Sequence, residues 1–127
     1  MAVDSEANLD RRFIQMMKLL NIYLNHFPSH ERHGLALKIR MTAYEMYDYI
    51  VEAQKRHHKK TTLTNLDIKH EQLRMLVRLA FELGYFGHPE TDKMPADKLS
   101  AKRYLAISTK IDEIGRIIGG WIKSNNQ

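Results

Sequence analysis

Apolar residues return along this chain at steps of three and four, and no segment alternates with period two. Leu9, Phe13, Met16, Leu20, Leu24 and Phe27 fall on one side of a helix. Their spacing predicts a helix over about residues 4 to 26, with Asp4 or Ser5 as N-cap and Pro28 as its stop. Leu35, Ile39, Thr42, Met46, Tyr49, Ile50 and Ala53 form a second stripe, running to about residue 57, with Ser29 placed to cap it and Glu31 in its first turn. The polar stretch KRHHKKTTLTN interrupts the pattern, and Thr64 with Asp67 then has the spacing of a capping box, which sets the expected start of a third helix. Leu66, Leu73, Leu76, Ala80 and Leu83 are its seam and Val77 and Phe81 its flanks. Gly84, Gly87 and Pro89 are its stop signals.

Beyond the loop HPETDKM, Pro95 suits a first helical position, and the pattern then runs unbroken through Tyr104 to Lys123. Within it Ile107, Ile111, Ile114, Ile118 and Trp121 make a continuous apolar seam. Gly115 and Gly119 lie on the neighbouring stripe with Gly120 beside them, and each glycine costs about 1 kcal/mol against alanine in an exposed helix. Close approach of a second backbone, from the same bundle or a neighbouring subunit, is the expected compensation. Trp121 and Ile122 continue the seam past the glycines, so Gly115, Gly119, Trp121 and Ile122 are the candidate positions for helix or oligomer packing. Four amphipathic helices with short connections predict an all-α, antiparallel up-down-up-down four-helix bundle. With 127 residues, 43% of them hydrophobic, the chain suits one domain over 1–127.

Composition narrows the setting. No apolar run is long enough to cross a membrane, and the polar, acidic N-terminus does not read as a secretory signal, so a soluble, cytoplasmic protein is expected. Cysteine is absent, which excludes disulfides, thiolate metal sites and cysteine nucleophiles. The net charge of +5 is unevenly spread: residues 1 to 54 hold six basic and seven acidic side chains, and residues 55 to 127 hold fourteen and eight. A basic half favours an anionic partner, nucleic acid being the commonest.

Catalytic chemistry finds little support. None of the seven histidines stands three residues after a glutamate, as a di-iron bundle would require. His26 and His30 straddle Pro28, and His57 and His58 are adjacent, so neither pair shares a helical face as zinc ligands do; surface or loop positions are expected for the histidines. No nucleophile elbow or phosphate-cradling glycine loop occurs. The expectation is a non-enzyme with no metal and no cofactor, in which Met16, Met17, Met41, Met46 and Met75 fill the core. The candidate binding residues are basic. Lys55, Arg56, Lys59 and Lys60 place four fixed charges within six residues at the end of helix two, where cations also complement the helix dipole. Arg74 and Arg78, one turn apart and off the seam, present two guanidinium forks to phosphates or carboxylates, and Lys69 and Arg116 are candidates to extend that surface. Tyr85, Phe86 and Tyr104 lie at helix ends or on the seam, so binding to backbone charge with little sequence readout is expected.

Glu31-Arg32-His33-Gly34, Leu73-Arg74-Met75-Leu76 and above all Ile114-Gly115-Arg116-Ile117-Ile118-Gly119-Gly120-Trp121-Ile122 resemble the accessory variability determinant (Avd) of diversity-generating retroelements. The resemblance spans the whole chain, and the Gly-Arg-x-x-Gly-x-Trp signature is its most specific part. The wider four-helix family includes proteins encoded by intervening sequences in bacterial large-subunit ribosomal RNA genes. Their helix-two motif, of the type Ser-Ile-x-x-Asn-Ile-Ala-Glu-Gly, is absent from the corresponding stretch Tyr44 to Ala53. What the resemblance implies is a basic homopentameric ring that binds RNA and DNA and associates with the retroelement's reverse transcriptase to support mutagenic copying of a template RNA. The alternative is a ribosomal RNA intervening-sequence-type protein that binds RNA or a protein partner.

Overall fold

Among the residues that the computed structural model describes, 2–89 and 93–126 with side chains from Asn8 onward, four α-helices follow one another: α1 (Ala2–Asn25), α2 (Leu35–Lys55), α3 (Lys60–Glu82) and α4 (Ala96–Asn125). No strand occurs among them. α1 packs against α2 and α4, and α3 packs against the same two helices, so the four close into an antiparallel, up-down-up-down bundle. The α1–α2 and α3–α4 connections therefore share one end, and two hydrogen bonds tie them together there. Tyr85 Oη donates to Glu31 Oε1 at 2.8 Å. His88 Nδ1, which must carry the proton because a carbonyl oxygen only accepts, donates to His26 O at 2.8 Å. The tight α2–α3 connection, the start of α1 and the end of α4 occupy the opposite end.

The expected seams are the core. Leu9, Phe13, Met16, Leu20, Leu24 and Phe27 are all buried, as are Ile39, Thr42, Met46, Ile50 and Ala53 of α2 and Ile107, Ile111, Ile114, Ile118 and Trp121 of α4. Trp121, close to the end of its helix, is 2% exposed. Covering such a ring removes on the order of 200 Å² from water, or roughly 5 kcal/mol before the cost of ordering it. That anchor keeps the last turns of α4 against the bundle. The Asp4 or Ser5 cap concerns side chains outside the described residues.

Several boundaries differ from expectation for identifiable reasons. Ser29 lies in a 3-10 turn, Ser29–Glu31, and caps nothing; the carboxylate of Glu31 accepts instead from the Leu35 N–H at 2.7 Å and opens α2. α3 starts at Lys60, ahead of the Thr64–Asp67 pair, because Thr62 and Leu63 are buried and draw their turn onto the core. Thr64 is then an interior residue whose hydroxyl donates back to Lys60 O at 2.9 Å. The seam of α3 is Leu63, Leu66, His70, Leu73, Val77 and Ala80. Leu76 is only partly buried, and Leu83 is 53% exposed because the chain leaves the helix there and turns through Gly84 at φ 81°, a left-handed conformation that suits glycine. Pro95 stands one residue before α4. Met41 and Met75, expected in the core, are exposed.

Candidate nucleic-acid and partner interface

The basic positions singled out in the sequence do not form one surface. At the α2–α3 connection, the Lys59 ammonium donates to Ala53 O and Arg56 O, so it closes the C-terminal turn of α2 and is not a free phosphate ligand. Arg56 approaches Glu52 at 3.9 Å, and the other oxygen contact of that carboxylate is the Thr62 hydroxyl at 2.6 Å, which staples α2 to the start of α3. Lys55 and Lys60 are exposed, and so is Arg56, whose 3.9 Å approach to Glu52 leaves its guanidinium open to a partner. His57 and His58 meet edge to face across 4.7 Å.

Arg74 and Arg78 lie roughly 20 to 27 Å further along α3, at 1.5 Å per residue from Lys60. Arg74 makes a two-pronged contact with Glu71 one turn earlier, Nε to Oε1 at 2.9 Å and Nη2 to Oε2 at 2.7 Å. Those hydrogen bonds hold the Glu71 carboxyl below, and the Arg74 guanidinium above, its ordinary range. Arg74 also feels Asp112 of α4, which places it on the flank of α3 that looks toward α4. Arg78 is exposed on the next turn, with no acidic partner among the described residues. Lys69 does not extend this surface: it points to α2, where its ammonium meets Glu45 at 2.6 Å. Arg116 is exposed on α4 one turn from Asp112, the side chain that Arg74 feels, and it has no ion pair among the described residues.

The packing candidates divide as sharply. Gly115 is needed inside the bundle, though for a side chain in place of a backbone. His70 of α3, a histidine expected at the surface, is buried there, and its Nε2–H donates to Ile111 O at 2.8 Å. A Cβ on Gly115 would stand 2.5 Å from His70 Cε1, so the glycine is what admits the imidazole. Gly119 has no such role within one chain. Both it and Gly120 are exposed, and a Cβ at either would meet nothing within 4 Å. Trp121 is in the core, and Ile122 is partly buried against it.

Positive charge that the sequence reading passed over lies at the other end of the bundle. Arg103 donates to His88 O at 3.1 Å and sits over the Tyr23 ring at 5.6 Å, holding the α3–α4 connection in place. Arg32 and Arg40 stand nearby with His26 and His30, and the meeting of the two connections adds His88 to them. Among the described residues no cluster of three or more His, Asp or Glu is arranged to hold a metal ion, and no helix is long and apolar enough to cross a membrane. No curated protein and no solved structure matches the chain. The family model described as bAvd-like does, over residues 8–125, which takes in all four helices and the glycine-arginine-tryptophan signature of α4. On a match of that extent the chain belongs to the bAvd-like family and is an Avd-type protein.

Proposed function

We propose that this chain is the non-catalytic accessory protein of a diversity-generating retroelement, binding nucleic acid and the reverse transcriptase so that a template RNA is copied with errors. Membership of the bAvd-like family over residues 8–125 carries the reading. The distribution of charge supports it, with Arg78 and Arg74 on one flank of α3 and Lys55 and Lys60 at its foot. A scaffold of this kind raises the effective concentration of two partners without new chemistry. Its place is the cytoplasm, where the template RNA is.

A homo-oligomeric, pentameric ring belongs to the same reading. Leu37, Met41, Tyr44 and Val51 make an exposed apolar stripe on α2, and Ile68, Met75 and Leu79 make another on α3. Two unlike apolar stripes on one chain suit a head-to-tail contact, which closes into a ring when the rotation allows it. Sedimentation at micromolar concentration is expected to report the ring, and a monomer there would refute it.

The binding test uses Arg74→Glu with Arg78→Glu. Association with the cognate reverse transcriptase, or with its template RNA, should be lost while the thermal melt changes little, since exposed charge changes alter stability by only about 0.5 kcal/mol. Affinity of the wild-type protein should fall with salt at a log-log slope near roughly −0.7 to −0.9 per phosphate neutralised. Failure of the wild-type protein to capture the enzyme, with or without RNA, would sink the proposal.

A further inference from the structure

The loop end of the bundle encloses a concavity of about 770 Å³ into which His26, His30, Arg32, Arg40 and His88 converge over Phe27 and Ala36. No carboxylate lines it among the described residues. The nearest is Glu31, 3.9 Å from His30 Nε2, and its oxygens are already engaged by the Leu35 N–H and the Tyr85 hydroxyl. Arg40, like Arg11 on Asn8 and Arg103 on two backbone carbonyls, has neutral acceptors. Arg12, Arg56 and Arg74 each face a glutamate, whereas the Arg40 guanidinium is held by the side-chain carbonyls of Asn21 and Asn25, the latter at 3.2 Å. Neutral acceptors orient it and, among the described residues, leave its charge without a carboxylate partner. His88 uses Nδ1–H on His26 O, so its Nε2 remains available.

We propose that this concavity binds a phosphomonoester, such as the 5′-phosphate of a nucleic-acid strand or of a free mononucleotide. A monoester carries close to two negative charges at neutral pH, which two guanidinium groups match and which a backbone diester, with one, does not. Guanidinium forks suit phosphate oxygens bidentately, and the apolar floor accepts the sugar or base. The site lies at the opposite end of the bundle from Lys55 and Lys60 and uses neither Arg74 nor Arg78, so it stands or falls separately from the binding face proposed above.

The test is a two-dimensional amide NMR titration of the full chain with adenosine monophosphate, with a 5′-phosphorylated tetradeoxynucleotide and with its 5′-hydroxyl twin. Shifts centred on Asn25 to His30, Arg40 and His88 are expected, with the phosphorylated strand bound at least about tenfold more tightly than its twin. Tighter binding of the strand than of the mononucleotide assigns the site to strand ends; the reverse assigns it to free nucleotides. Arg32→Gln, an exposed substitution that leaves packing alone, and Arg40→Gln should each weaken binding about tenfold, and Arg40→Lys should retain part of it. Equal affinity for the phosphorylated and hydroxyl strands, shifts confined to the Arg74–Arg78 flank, or affinity unchanged in both glutamine variants would overturn the proposal.

Discussion

Replacing Gly115 by alanine should destabilise the bundle, although glycine to alanine inside a helix ordinarily stabilises by about 1 kcal/mol. The new Cβ would lie 2.5 Å from Cε1 and 2.8 Å from Nε2 of His70. The imidazole is buried and bonded to Ile111 O, so it cannot swing clear without giving up that bond. Overpacking of this kind costs about 1 to 3 kcal/mol, and a buried donor stripped of its acceptor costs about 1 to 3 kcal/mol more. Against the gain of about 1 kcal/mol in helix propensity, a net loss of about 3 kcal/mol is expected. For a chain of this size that is a fall of roughly 11 °C in melting temperature. Circular dichroism melts and urea titrations at matched protein concentration measure it. The cause is isolated by a double-mutant cycle: in a His70→Ala background the clash is gone, and Gly115→Ala should become neutral or stabilising. A Gly115→Ala protein as stable as the parent, or equal effects in both backgrounds, would refute the account of glycine and histidine as one packing unit.

Gly119→Ala should do the opposite and raise stability by about 1 kcal/mol, since its Cβ meets nothing; a lower melting temperature at every protein concentration would contradict this, and one only at high concentration would place a neighbouring chain on that face. Lys59→Met should cost about 1 kcal/mol by opening the end of α2 and leave nucleic-acid affinity unchanged, whereas Lys60→Met should weaken binding without affecting the melt; filter binding at two salt concentrations separates them. Glu31 is held below its ordinary 4.5, first by the Leu35 N–H and then by the Tyr85 hydroxyl. A carboxyl depressed in the folded state stabilises above its unfolded pKa and loses that contribution as pH falls through the folded one. The deficit of Glu31→Gln in urea midpoint should therefore be full at neutral pH and shrink below about 4.5, while a deficit independent of pH would show that the charge of Glu31 is not what opens α2.

The sequence alone determined the four helices, their order and nearly all of the core. Burial in an amphipathic helix is a one-dimensional property: Phe13, Ile39 and Ile114 lie on inward stripes whatever the neighbouring helix contributes. The start of α3 was not legible because local capping chemistry favoured Thr64, and only contact with α2 buries Thr62 and Leu63 enough to carry the helix back to Lys60. His70 was missed for a related reason. A histidine is polar in any pattern, and nothing in its own helix shows that Gly115 on α4 leaves a space and Ile111 an acceptor.

Charge was the property least readable along the chain. The sequence reading grouped Lys69, Arg74, Arg78 and Arg116, yet the fold turns Lys69 to Glu45 on α2 and leaves Arg74 with Glu71. Spacing within one helix sets which side chains share its face, but which charges meet, and which are cancelled, depends on how the helices are rotated against one another. For the same reason Arg40 passed without notice and Arg32 entered only within the Glu31 to Gly34 motif, because the cationic concavity is completed only where the α3–α4 connection brings His88 to the α1–α2 connection. A chain records the polarity of each position; the neighbours that neutralise a charge or leave it available are decided by tertiary packing.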